Sequence, residues 1–252
     1  MPHKNATDRC LVTLVHAAAL LAGAVSSPAG AFDLLKYFPT PNGAAWEYRY
    51  TESWSTGACS GKRMLSVGAA TDEAVTFITS TPEADKCSGA NAARGFPPTT
   101  DTLGVSLYAY RLVSRNSAIE GATSTTQWMA PLLFLPTFSN VYQTYSSEGM
   151  VSETLGDSVR SASYTATVKV IGLEDVNVPA GKFTSTVHVQ LVERRTYPPP
   201  LTARVVTRTD RWLAREVGVV RLKVEVFVDE QRTESRQLQL LRAQLPAPPA
   251  DE

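Results

Sequence analysis

The chain predicts an all-β protein, an antiparallel meander that bends into a curved sheet, a half-barrel or an open barrel. Three observations carry this prediction. Beyond residue 50, apolar and polar residues alternate in one short run after another, as strands with one buried and one wet face require. Turn-forming clusters fall between the runs. Helical periodicity is scarce over the same stretch.

The elements follow in order. Phe32 to Phe38, FDLLKYF, reads as a short helix or an N-terminal tether. Pro41-Asn42-Gly43 is a turn before the first strand, where Trp46, Tyr48 and Tyr50 alternate with Glu47, Arg49 and Thr51. Val75 and Phe77 flank Thr76. Glu83 to Thr102 is rich in Ala, Gly, Pro and Ser and reads as a long loop. Val105, Leu107 and Ala109 alternate with Ser106, Tyr108 and Tyr110. Trp128 to Phe138 is apolar all round and interrupted by two prolines, a core strand or an exposed binding patch. Tyr164, Ala166, Val168 and Val170 form a stripe. Val187, Val189 and Leu191 share one face, and Thr186, His188 and Gln190 the other. Val205-Val206 follows. Val220, Leu222, Val224, Val226 and Val228 then make the clearest strand, and Leu238 and Leu240 open the last. Glu120-Gly121, Gly156-Asp157, Pro179-Ala180-Gly181 and Pro198-Pro199-Pro200 punctuate the series, so about ten strands are expected.

The first 31 residues read as a cleaved signal peptide. Lys4 and Arg9 precede the apolar run Leu11 to Val25, and Ala29-Gly30-Ala31 is an A-x-A cleavage site. The run is shorter than the roughly 20 residues a bilayer span needs, so no transmembrane anchor is expected. A single β-rich domain over 32–243 and a disordered Pro-rich tail over 244–252 complete the chain. The location is extracytoplasmic, periplasmic or secreted. No cysteine stands at the cleavage site, which argues against a lipid anchor. Cys59 and Cys87 survive processing and are expected to form a disulfide.

Twenty-four basic and 24 acidic residues balance, so no global field draws nucleic acid or an anionic membrane. Arginine dominates from Glu193 to Arg242 and reads as solvated strand faces. No P-loop, GxGxxG or GxSxG occurs. His188 is the one histidine left after processing, and its place on a polar face predicts a solvated ring. The acids are scattered, and the adjacent pairs Asp72-Glu73, Glu174-Asp175 and Asp229-Glu230 point to opposite faces of a strand. No catalytic residue, cofactor or metal site follows from these residues.

Several short motifs resemble the DUF3108-like bacterial extracytoplasmic proteins of unknown function, related to the TapB-like group. Tyr37-Phe38-Pro39, Gly43 and Trp46-Glu47-Tyr48 look like the opening of that family. Val178-Pro179-Ala180-Gly181-Lys182-Phe183 is similar to its VPAG.F turn, and Pro131 to Pro136 to its central PLLLLP segment. Trp212 to Val220 resembles its W.A.GVG.V hairpin, with Glu216 where the first Gly would lie. Asn140 and Tyr142 stand where a Gly and a Trp are usual. The resemblance implies an antiparallel curved sheet or open barrel and no catalytic residues.

The leading expectation is an exported, non-enzymatic binding or carrier module for an apolar ligand or an envelope partner. Trp46, Tyr48, Tyr50, Trp128, Leu133 and Phe134 are its candidate ligand-binding residues. The alternatives are a structural or interaction protein of the envelope with a filled core, and, more weakly, a hydrolase whose carboxylates assemble in space.

Overall fold

Alternation at every second residue commits one face of each strand to burial. A long meander of such strands can bury that face by curling on itself. The computed structural model shows this outcome; it describes residues 31–89, 98–119 and 122–246. Residues 1–30 of the expected signal peptide and 247–252 of the expected Pro-rich tail lie outside the described residues, as does the turn expected at Glu120-Gly121.

The barrel wall begins with β2 (Ala45–Trp54), β3 (Gly57–Ala70) and β4 (Ala74–Ser80), after the two-residue β1 (Phe32–Asp33). The short β5 (Lys86–Gly89) precedes β6 (Thr99–Val105), β7 (Ala109–Ile119) and β8 (Ala122–Pro136). β9 (Phe138–Ser139) is a two-residue partner of β1. The wall continues through β10 (Thr144–Leu155), β11 (Ser158–Val178) and β12 (Gly181–Thr196). It ends with β13 (Arg204–Ala214), β14 (Gly218–Val228) and β15 (Gln231–Gln244).

Twelve of these strands form a closed antiparallel ring in the order β2-β15-β14-β13-β12-β11-β10-β8-β7-β6-β4-β3, with β3 returning to β2. β15 closes it against β2, where Leu238 faces Tyr50 and Arg236 faces Glu52. Closure leaves no edge in the ring, so the barrel is closed and not open. β5 lies beside β3 outside the ring, with Cys59 opposite Cys87, and the disulfide forms there. The predicted loop over 83–102 is thus replaced in part by β5 and by the start of β6. Pairing with β3 supplies the order that its local sequence does not signal. No helix among the described residues is long and apolar enough to cross a membrane.

One end of the barrel is plugged by its own N-terminal segment. Leu34–Tyr37 forms one turn of 3-10 helix, with Leu34 fully buried. The plug is tied down by Leu34 N–H to the Thr137 carbonyl (2.8 Å) and by Glu216 N–H to the Lys36 carbonyl (2.6 Å). Phe38 then packs its ring 5.5 Å from Phe77, 5.3 Å from Tyr110 and 5.7 Å from Phe134. Burying one such side chain contributes about 1.5–3 kcal/mol. On the same side Trp46 Nε1 donates to the Val217 carbonyl (2.6 Å) and Tyr48 to the Val219 carbonyl (2.8 Å), pinning β2 to the β13–β14 hairpin across β15.

The apolar segment Trp128–Phe138 is the second half of β8 and the start of β9. Leu132, Leu133 and Leu135 are buried, while Met129 is exposed. β8 pairs with β10 over Ser124–Trp128 only. Beyond that point Tyr164 bridges the seam by donating to the Ala130 carbonyl. Its ring lies over Gly149, where an added Cβ would sit 2.7 Å from that of Ala130.

Glu216 adopts φ 61° in the β13–β14 turn, and Gly218 follows at φ 99°. A side chain in the left-handed region costs about 1–2 kcal/mol, partly offset by the lower entropy of a non-glycine unfolded chain. The exposed ion pair of Glu216 with Arg215 contributes little against this. Glu216→Gly is therefore expected to raise stability by about 0.5–1 kcal/mol, read as an increased urea midpoint at unchanged m value.

Candidate functional site

The inward residues of the ring do not fill it. A cavity of about 430 Å³ runs through the lumen, within the range of small-molecule sites. Leu65, Phe77, Leu103, Phe134, Leu222, Val224, Val226 and Leu238 supply its apolar wall, and Thr79, Thr99, Thr126, Thr207 and Thr209 add hydroxyls. Each sits on the inward phase of its strand, so the lining is set by register. Phe77 faces Val67 and Asp101, Thr209 faces Leu191 and Val224, and Leu222 faces Arg211 and Leu238.

Five arginines also point inward and border the cavity: Arg63, Arg115, Arg195, Arg211 and Arg236. This corrects the expectation that the arginines between Glu193 and Arg242 occupy solvated faces, because Arg195, Arg211 and Arg236 share phase with buried apolar neighbours. Four of the five are neutralised locally. Arg63 holds Asp85 through two bonds of 2.6 Å, with side chains 1% and 5% exposed, and stacks 3.8 Å over Tyr50. Gly61 makes this possible, since a Cβ there would collide with the Asp85 carboxylate. Arg115 holds Asp101 through Nε and Nη2, both at 2.7 Å. Arg195 lies between Glu193 (2.9 and 3.1 Å) and Glu153, while Trp128 Nε1 donates to Glu193 (3.0 Å) and Tyr197 to Glu153 (2.8 Å). Arg236 pairs with Glu52 (3.0 Å) and with Glu234.

These partners set the titration of the lumen. Burial lowers the pKa of Arg195, but Glu193 and Glu153 outweigh it and hold the guanidinium charged. The carboxylate of Asp101 raises that of Arg115 against its burial. Tyr197 is pushed up to about 12 by burial and by Glu153, so it donates as a neutral phenol. Arg211 differs. It is 5% exposed, its guanidinium stacks 4.0 Å over the Phe134 ring, and its Nη1 has no hydrogen-bond partner among the described residues. Burial first, and Arg115 second, push its pKa down to about 9, so it is a stressed cation at neutral pH.

The outer wall carries a second constellation. His188 Nδ1 lies 2.7 Å from a Glu174 carboxylate oxygen and Nε2 lies 2.9 Å from one of Asp210, so the protonated ring donates to both. Its ring stacks on Trp212 at 4.5 Å and 19°, with Arg221 on the far face of that indole at 4.7 Å. Trp212 Nε1 donates to Glu174 (2.7 Å), and Gln190 donates to Asp210 (2.9 Å). The ring is not simply solvated, as its strand face suggested. The neighbouring strands β11 and β13 bring both carboxylates to it. Both ring nitrogens are engaged, and no group of three or more His, Cys, Asp or Glu residues among the described residues could hold a metal ion.

Of the residues singled out from sequence, Tyr48, Trp128 and Phe134 border the cavity. Trp46, Tyr50 and Leu133 are buried and do not border it. The inward arginines were missed. Their signal was phase: Arg195 continues the stripe of Val189 and Leu191, and Arg236 that of Leu238.

No protein-family model matches the chain, and no curated protein matches it. The resemblance to DUF3108-like proteins therefore rests on its short motifs alone. Two solved structures are similar in shape. A "putative lipoprotein" from Parabacteroides distasonis gives a TM-score of 0.44 at 13% identity, covering 82% of this chain and 98% of that one. A "putative exported protein with YmcC-like fold" from Bacteroides fragilis gives 0.36 at 11% identity, covering 83% and 99%. Likeness at this level carries no argument about function.

Two outcomes follow from the charges. Asp85→Ala leaves the Arg63 guanidinium buried without its carboxylate and is expected to cost about 3–5 kcal/mol, measured by chemical denaturation. For His188, burial opposes the charged ring, yet the bonds to Asp210 and Glu174 outweigh it and raise its pKa above the ordinary imidazole value. The stabilisation is then fully present below about pH 6.5 and is lost as pH rises through the folded-state value. The stability lost in His188→Ala is expected to be larger at about pH 5.5 than at about pH 9, by urea unfolding at both.

Proposed function

We propose that this protein is an exported, non-enzymatic carrier that holds a small, largely apolar molecule inside its barrel. The observation that carries the reading is the cavity of about 430 Å³ within a closed antiparallel ring. Its wall combines a continuous apolar surface with a few polar groups at fixed positions, the composition of a binding site and not of a packed core. Export is read from the signal peptide, and the disulfide between Cys59 and Cys87 accords with an oxidising compartment.

The envelope-partner reading needs a filled interior, and this interior has room. The hydrolase reading needs a free general acid at the cavity. The carboxylates that border the cavity, Asp101, Glu153 and Glu193, are each held by an arginine. Glu234 is raised by burial and lies beside Glu52, but it does not border the cavity.

Trp128 stands in the cavity wall and serves as an internal probe. Titration with decan-1-ol or sodium decanoate is expected to give a saturable change in tryptophan fluorescence that Trp128→Phe removes. Absence of any saturable change in the folded protein, with calorimetry equally silent, would sink the carrier reading.

A further inference from the structure

We propose that the carried molecule is an amphipathic anion, a single acidic group on an apolar chain, and that the Arg211 guanidinium receives the acidic group inside the barrel. This inference rests on the carrier reading and adds the chemical class of the ligand.

The argument starts from what Arg211 lacks. Arg63, Arg115, Arg195 and Arg236 each bind a carboxylate of this chain. Arg211 hydrogen-bonds none, although it is 5% exposed and its Nη1 is orphaned among the described residues. A buried charge without a counter-ion is costly, and proteins avoid it unless the charge has a use. The nearest carboxylates, Asp101 and Asp210, attract this charge through space, but neither bonds it. Asp101 spends both its oxygens on Arg115. Asp210, the sequence neighbour, points to the outer wall and is occupied by His188 and Gln190.

The local geometry suits an oxyanion. Phe134 covers one face of the guanidinium at 4.0 Å, and on its edge the buried Nη1 is a donor without a partner, the kind of group that a carboxylate satisfies. Arg115 stands near the same place with Asp101 bound to its Nε and Nη2, so that pair is neutral and the net positive charge there is that of Arg211. Thr209, one inward step along β13, places a hydroxyl on the same wall. From this head site the apolar lining of Leu222, Val224, Val226 and Leu238 runs along β14 and β15, a surface for the chain of the ligand. A cationic head is disfavoured there by Arg211 itself. Elsewhere in the lumen the excess is negative, at Glu153 and Glu193 about Arg195, which sends an acidic head toward Arg211 and not away from it.

The test is calorimetric titration of the protein with sodium decanoate, decan-1-ol and decyltrimethylammonium, which share a chain and differ in head charge. The wild type is expected to bind decanoate about tenfold or more tightly than decanol, and the cation more weakly than either. In Arg211→Met the decanoate preference is expected to vanish while decanol affinity stays within about twofold; Arg211→Lys is expected to keep part of it. Circular dichroism melts establish that the variants fold. Should the methionine variant fail to fold, the wild-type ligand series and the lysine variant decide. Equal binding of decanoate and decanol by the wild type, or decanoate binding untouched in Arg211→Met, overturns the anion assignment and leaves the carrier reading standing. Failure of all three ligands to bind the folded wild type overturns the carrier reading and this inference with it.

Discussion

The pairing of β15 with β2 closes the ring, and the circumference of that ring dictates what lies inside it. Barrel width grows with strand number. About eight strands enclose a space that one layer of side chains fills, and twelve enclose more. The chain meets the surplus in three ways along the axis. At one end the N-terminal 3-10 turn and Phe38 are folded in as a plug. Toward the Cys59–Cys87 disulfide, Asp85 is brought in against Arg63 beneath a glycine that yields the space. Between them, long arginine side chains reach inward in ion pairs, and a cavity is left over.

That solution explains why so much charge sits where a smaller barrel would have leucine. An arginine spans more of a wide lumen than an aliphatic side chain, and its stem packs while its head bonds. The cost is desolvation, met where a carboxylate is at bonding distance. Arg195 with Glu193 and Glu153 ties β12 to β10 across β11, and Arg236 with Glu52 ties β15 to β2 at the closure. These pairs specify which strand sits beside which more than they add stability, because a strand slipped by one residue would turn each of them outward.

The strands themselves were legible because alternation is a local signal. Tyr164 to Val170 and Val220 to Val228 announce both their conformation and their buried face. What alternation does not carry is the identity of the other face. A polar residue in a strand reads as wet, which places Arg195, Arg211 and Arg236 outside, although each is in phase with buried neighbours. The lumen is made by twelve strands together, and Arg236 finds Glu52 across 184 residues. No window of ten residues contains that information. The same limit applied to β5, ordered by pairing with β3, and to His188, whose two carboxylates arrive from different strands.

The two constellations meet on β13. Asp210 and Trp212 point outward into the His188 clamp, and Arg211, the residue between them, points inward to the cavity. The clamp lies at three interruptions of the ladder, those between Val170 and Gly172, between Glu174 and Val176, and between Trp212 and Leu213, where a strand is otherwise free to bend. Bonds from His188 to Glu174 on β11 and Asp210 on β13, with the indole wedged between His188 and Arg221, hold three strands in one arrangement at that point. A binding group works best when its backbone is fixed before the ligand arrives. The polar cluster outside the wall therefore braces the stretch of β13 from which Arg211 faces the cavity.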